Sequence, residues 1–157
     1  MTDLVQYQQN VDGVVTLTLN DPKTRNALTG STMVDELLSA FARIERDPDA
    51  RVLVITAAGP VFSSGGNVND MQRQIGPEVG SAALRQEYRH GIQRLPLALH
   101  ALEVPTIAAV NGPRLARAAT WPACATCASP RKKPLSPRAS SSWASCPATA
   151  APGFCRD

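Results

Sequence analysis

The chain predicts an α/β fold in which strands alternate with amphipathic helices around a sheet, and three stretches carry that expectation. Residues 52–57, VLVITA, are a β-branched run that reads as a buried strand of a parallel sheet. Residues 14–19, VVTLTL, alternate Val15, Leu17 and Leu19 with Thr16 and Thr18, the pattern of a half-buried strand. Between them Val34, Leu37, Leu38, Phe41 and Ile44 fall at spacings of three and four, which gives a helix one apolar face.

The remaining elements follow in order. Leu4 to Gln9 reads as a strand joined to the next by Asn10-Val11-Asp12-Gly13, since Asp-Gly favours a hairpin turn. Asp21-Pro22 breaks the second strand and opens a loop through Ala27. Thr32 with Asp35 has the form of a capping box at the start of the first helix, and Arg46-Asp47-Pro48 ends it. Ala82 to Ala101 reads as a second long helix buried along Leu84, Tyr88, Ile92, Leu95 and Leu99, with Gly91 weakening it and Pro96 kinking it. Thr106 to Val110 is the next strand, turned by Asn111-Gly112.

The stretch with chemical content is VLVITAAGPVFSSGGNVNDM, residues 52–71. A strand runs into Ser63, Ser64, Gly65 and Gly66, and Asn67 can cap a short helix from Val68. The first turn of a helix has no internal acceptors for its N–H groups, and two glycines let a ligand approach the backbone. The arrangement offers a site for an anion or a developing oxyanion; taken alone, it also fits an ordinary tight turn. The polar segment Gln72 to Gly80 is placed to cover such a site. His90 and His100 have no Cys, Asp or Glu at ligand-like spacing and are read as surface or core residues, and no metal site is expected.

Three ordered blocks resemble the enoyl-CoA hydratase/isomerase (crotonase) superfamily: DPKTRNALTGSTMVDEL, VLVITAAGPVFSSGGNVNDM and PTIAAVNGP. The resemblance covers residues 1–113. It implies the first part of a crotonase-like ββα spiral and a site for acyl-CoA or enoyl-CoA thioesters, coenzyme A being part of the substrate and no separate cofactor being required. By the same resemblance Gly66 supplies an oxyanion-hole N–H that stabilises a thioester enolate, and Arg25 pairs with a phosphate. Asn26 and Ala27 present backbone to the nucleotide, and Gly65, Asn67 and Val68 line the substrate site. From the residues alone Lys23 and Arg25 are ordinary surface charges. The family is usually homo-oligomeric and trimer-based.

Composition changes after Pro113. Residues 1–113 carry nine Lys/Arg against twelve Asp/Glu, whereas residues 114–157 carry seven against Asp157 alone, together with all four Cys, six Pro, six Ser and eleven Ala. The tail shows neither helical nor strand periodicity and reads as irregular and of low order. Cys124-x-x-Cys127 suggests zinc, but Cys146 and Cys155 are too far apart to supply a second pair. A linker, a basic tail that binds nucleic acid, or translation in the wrong frame each fit this composition.

The genetic code tests the last of these. When the third base of each codon is joined to the first two of the next, the text from Leu115 onward permits I-G-A-G-C-D-L-A-C-M-C-D. From Leu135 it permits F-A-E-S-F-V-K-L-G-I-V-P-G-D-G-G-A-W-L-L-P-R. Both resemble the following blocks of the family. Trp121-Pro122 forces Ala and Trp143-Ala144 forces Gly, and both fit. The tail is therefore read as out of frame through a base lost near the Pro113 codon. In the frame as written, Arg117 stands where the resemblance implies the Gly of the second oxyanion donor, and Thr120 where it implies a catalytic Glu. The restored frame gives no Glu at the first slot, and gives one at the second only if Ser140 is encoded by AGT or AGC.

The expected function is enoyl-CoA hydratase/isomerase chemistry, with little activity in the 157-residue chain. The rival reading is a non-catalytic fragment or basic-tailed binding protein, which salt-dependent nucleic-acid binding would reveal. The first ten residues have neither a basic region nor an apolar run, and no stretch is long and apolar enough to span a membrane, so a cytoplasmic location is expected.

Overall fold

The computed structural model describes residues 3–30, 32–74, 80–113 and 127–130. Strands β1 (Val5–Gln9), β2 (Val14–Leu19), β3 (Val52–Ala57), β4 (Thr106–Val110) and β5 (Cys127–Pro130) form one sheet in the order β1-β2-β3-β4-β5. β1 and β2 are antiparallel, with Val5 opposite Leu19 and Gln9 opposite Val15. Their hairpin turns at Gly13, whose φ of 81° lies in the left-handed region that glycine adopts without steric cost. All later pairings are parallel, with Leu17 beside Ile55 and Ile55 beside Ala108. Parallel neighbours need a crossover, and helix α1 (Met33–Arg46) supplies the one between β2 and β3.

The alternation read in β2 sorts the sheet's two faces. Val15, Leu17 and Leu19 from β2, Leu53 and Ile55 from β3, and Ala108 and Val110 from β4 are buried. Against them pack Met33, Leu37, Phe41 and Ile44 of α1, and Leu95 and Leu99 of α4 (Arg94–Ala101). The opposite face carries Val14, Thr16, Thr18, Val52, Val54, Thr56, Ile107 and Ala109, all half-buried. The β3 run thus behaves as an alternating strand rather than one fully covered on both sides.

Three local readings are corrected. The capping box does not form, because the Thr32 hydroxyl donates to the Glu36 carboxylate at 2.8 Å and no side chain caps α1. The long helix over 82–101 is two helices, α3 (Ser81–His90) and α4. The break falls at Gly91, not Pro96. Gly91 adopts φ −101°, ψ −115°, which no helix continues, and the Gln93 N–H reaches back to the Tyr88 carbonyl at 3.1 Å. Pro96 sits in the first turn of α4, where a missing N–H costs nothing. Leu84 and Tyr88 are consequently only half-buried, and α3 buries no residue.

One short element of the tail lies within the described residues. Residues 127–130 add a parallel strand to β4, with Ile107 beside Cys127 and Val110 beside Pro130, although strand periodicity is absent from that text. The open edge of β4 offers a hydrogen-bonding ladder that does not depend on side-chain pattern, and Pro130 is tolerated at the strand's end. Residues 114–126 and 131–157 lie outside the described residues. Among the described residues no helix is long and apolar enough to cross a membrane.

Candidate active site

The turn between β3 and helix α2 (Val68–Gln74) is built by small residues and held from two sides by asparagines. On one side Asn26 is fully buried. Its Oδ1 accepts from the Asp21 N–H at 2.8 Å, and its Nδ2 donates to the carbonyls of Ala58 at 3.0 Å and Val61 at 2.9 Å. The Asn26 carbonyl in turn accepts from the Ser63 hydroxyl at 2.6 Å. On the other side the Asn111 Nδ2 donates to the carbonyls of Ala57 at 2.6 Å and Gly59 at 2.9 Å. Gly112 lets the Pro60 carbonyl come so close that a Cβ would overlap it, and the Phe62 N–H donates to the Pro113 carbonyl at 3.0 Å. Phe62 is fully buried and anchors the turn in the core.

Gly65 and Gly66 follow. Gly65 has φ 81°; its N–H donates to the Ser63 hydroxyl at 3.1 Å and its carbonyl accepts from Leu28 at 2.7 Å, forming a bridge between Ala27 and Gly65. The Asn67 N–H donates to the Thr29 hydroxyl at 2.8 Å. Asn67 caps α2 as its sequence position suggested, its Oδ1 accepting from the Asn69 N–H at 3.0 Å. Between these engaged groups the N–H of half-buried Gly66 has no protein acceptor among the described residues. A Cβ on Gly66 would overlap the methyl of Met71, the mobile end of an otherwise flexible side chain.

The residues read from the sequence gather around this turn with different exposures. Arg25 is exposed with φ 60°, and its carbonyl accepts from the Ser64 N–H at 2.9 Å, so the loop carrying it lies along the turn. Asn26, with φ 54°, is engaged through its side chain and both main-chain groups. The Ala27 N–H donates to the Thr24 hydroxyl at 3.3 Å, which leaves the Ala27 carbonyl as that pair's unengaged backbone group among the described residues. Val68 is 64% exposed at the head of α2.

A cavity of about 350 Å³ opens beside the turn, lined by Leu28, Thr29, Val34, Glu87, Tyr88 and Ile92 among others. Thr29 joins the two, since it lines the cavity and its hydroxyl holds Asn67. Sequence reasoning missed Thr29 and the bracing roles of Asn26 and Asn111. Among the described residues, the two groups whose ionisation is displaced lie on β1 and just past the end of α1. Burial pushes the Tyr7 phenol up against the pull of Arg43, and hydrogen bonds from Asp49 and Gln9 hold the Asp47 carboxyl below its usual value. Among the described residues no group of three metal-ligating side chains converges.

Comparison with known proteins bears on the family and the fold. The enoyl-CoA hydratase/isomerase family model matches residues 9–119. Hydroxycinnamoyl-CoA hydratase-lyase of Pseudomonas fluorescens is 35% identical over 103 residues, covering 64% of this chain and 36% of that protein. Enoyl-CoA hydratase domain-containing protein 3 of Xenopus laevis is 35% identical over 126 residues, covering 80% and 40%. The crystal structure of the human domain-containing protein 3 superposes with a TM-score of 0.68 at 28% identity, covering 80% of this chain and 47% of that one. The chain spans about two-fifths of the length of the curated relatives it matches. The family acts on acyl-CoA thioesters, and this chain belongs to the enoyl-CoA hydratase/isomerase family.

Proposed function

We propose that residues 1–113 carry the first half of a crotonase-type acyl-CoA site, in which the Gly66 N–H donates to the thioester oxygen as it becomes an enolate oxyanion. The observation that carries this reading is the Gly66 N–H, unengaged among the described residues while the N–H groups of Ser64, Gly65 and Asn67 around it each have an acceptor. A rigid donor of this kind stabilises charge that develops during reaction without reorganising at that moment. Arg25 takes a phosphate of coenzyme A, and the backbone near Asn26 and Ala27 meets the nucleotide. Gly65, Asn67 and Val68 border the thioester. Coenzyme A arrives with the substrate, and no separate cofactor enters.

The test is Gly66→Pro, which deletes the N–H. Loss of one hydrogen bond to a charged acceptor is expected to weaken binding of an enolate-like acyl-CoA analogue roughly 10- to 100-fold by calorimetry. Gly66→Ala keeps the donor once the Met71 methyl swings aside, and coenzyme A alone should bind all three forms alike. Equal affinity of Gly66→Pro and the parent for the analogue would remove Gly66 from the site.

Donation from one N–H is not a complete catalyst. Proton transfer at carbon needs a positioned acid or base, and in the frame as written Thr120 stands in the sequence where the family resemblance implies a catalytic Glu and Arg117 where it implies the second donor's Gly. We read the tail as out of frame, so the 157-residue chain is expected to show no hydration of a short enoyl-CoA above a blank, followed by loss of the enoyl absorbance. Measurable turnover would show that the present tail, or a carboxylate elsewhere, completes the site.

A further inference from the structure

The outer edge of β1 is open, and its chemistry points to a specific occupant. β1 is the terminal strand of the sheet, and no described residue pairs with its outer side. The Leu4 carbonyl accepts from Asn20 and the Asn10 N–H donates to Val14, so the even-numbered residues turn their backbone groups toward β2. The odd-numbered residues turn theirs outward. The Val5 N–H is met by the Glu36 carboxylate at 2.9 Å, which leaves the N–H and carbonyl of Tyr7 and Gln9 and the Val5 carbonyl facing outward.

Open edges are ordinarily blunted by Lys, Pro, a bulge or an inward charge. Residues 4–10, LVQYQQN, contain no charge, no Pro and no Gly, and the β1–β2 register runs unbroken. Gln6, Gln8 and Gln9 are exposed. We propose that this edge pairs with the same edge of a second copy of the chain, antiparallel about a two-fold axis at Tyr7. Tyr7 then exchanges both backbone bonds with the partner's Tyr7, and each Gln9 N–H meets the partner's Val5 carbonyl, so Glu36 can keep the Val5 N–H. Gln6 falls opposite the partner's Gln8. An amide side chain carries both donor and acceptor, so the pair is complementary to itself without opposing charges. A second copy is favoured over a foreign strand because this match needs nothing beyond the segment's own residues.

The test is sedimentation of the soluble 157-residue chain across a concentration series. The expected result is a reversible species of twice the chain mass. Gln9→Pro removes an outward N–H while sparing the β2 ladder, and should raise the dissociation constant at least tenfold. The double variant Gln6→Lys/Gln8→Lys keeps every backbone donor but places like charges opposite one another. It should be monomeric alone and should pair again when mixed with Gln6→Glu/Gln8→Glu. A monomer at all concentrations overturns the proposal. So do dimers or aggregates that neither variant reduces, and so does a foreign chain found on the edge in place of the second copy.

Discussion

A gene with one base restored near the Pro113 codon is expected to give a higher soluble yield and one sharp unfolding transition, whereas the 157-residue chain is aggregation-prone, stays soluble only in part and unfolds broadly. The half-buried sheet face of Val14, Val52, Val54 and Ile107 shows what the present chain leaves uncovered, as do Val68 at 64% and Met71 at 36% exposure. Full burial of each such side chain contributes about 1.5–3 kcal/mol, so covering a whole face is large against the 5–15 kcal/mol that stabilises a typical domain. Restoring the base is expected to turn the tail into IGAGCDLA and the text that follows and to extend the open reading frame past Asp157; this chain spans about two-fifths of the curated relatives it matches. Soluble yield and thermal unfolding of the two chains are the measurements, beside nucleotide sequencing of codons 112–116. An intact present frame, with strong hydrogen-exchange protection across residues 114–157, would refute the frameshift.

Asn26→Ala is expected to destabilise the fold more than any surface change. The substitution deletes the bonds to Asp21, Ala58 and Val61 in a fully buried position. Each stranded, part-buried group costs about 1 kcal/mol or more, and placing Ala at a φ of 54° adds about 1–2 kcal/mol. A total of about 4 kcal/mol or more follows, read as a fall in the denaturation midpoint. Asn26→Asp keeps the acceptor for Asp21 but sets a carboxylate against two carbonyls, so it should rescue little. A change below about 1 kcal/mol for Asn26→Ala would mean that the turn is held chiefly by Asn111 and the burial of Phe62.

What the sequence disclosed and what it hid divide by range. The bounds of β2, β3 and β4 and the start of α2 were legible because strand alternation and the Asn67 cap are local. The small-residue turn was legible for the same reason. The asparagine braces were not, since the acceptors of Asn26 and Asn111 lie 32 to 54 residues away and nothing nearby marks them. Thr32 had a suitable residue at the capping-box position, yet its hydroxyl found Glu36 one residue further on. Gly91 and Pro96 were both visible as helix weakeners, but only the fold decided that the break fell at the glycine. β5 escaped because its partner ladder, rather than its own side chains, makes it a strand.

The distance spanned by those braces has a kinetic consequence. The β1–β2 hairpin and α1 close on neighbours and can form early, since short loops lose little entropy on closing. The turn bearing Gly66 is secured only when Asn26 reaches residues 58–61 and Asn111 reaches residues 57–59 from the opposite direction in the chain. Its geometry therefore sets late in folding, after the sheet has registered. During synthesis it must wait for Asn111 to leave the ribosome, so a nascent chain stalled before that codon would hold the first three strands and an unformed donor site.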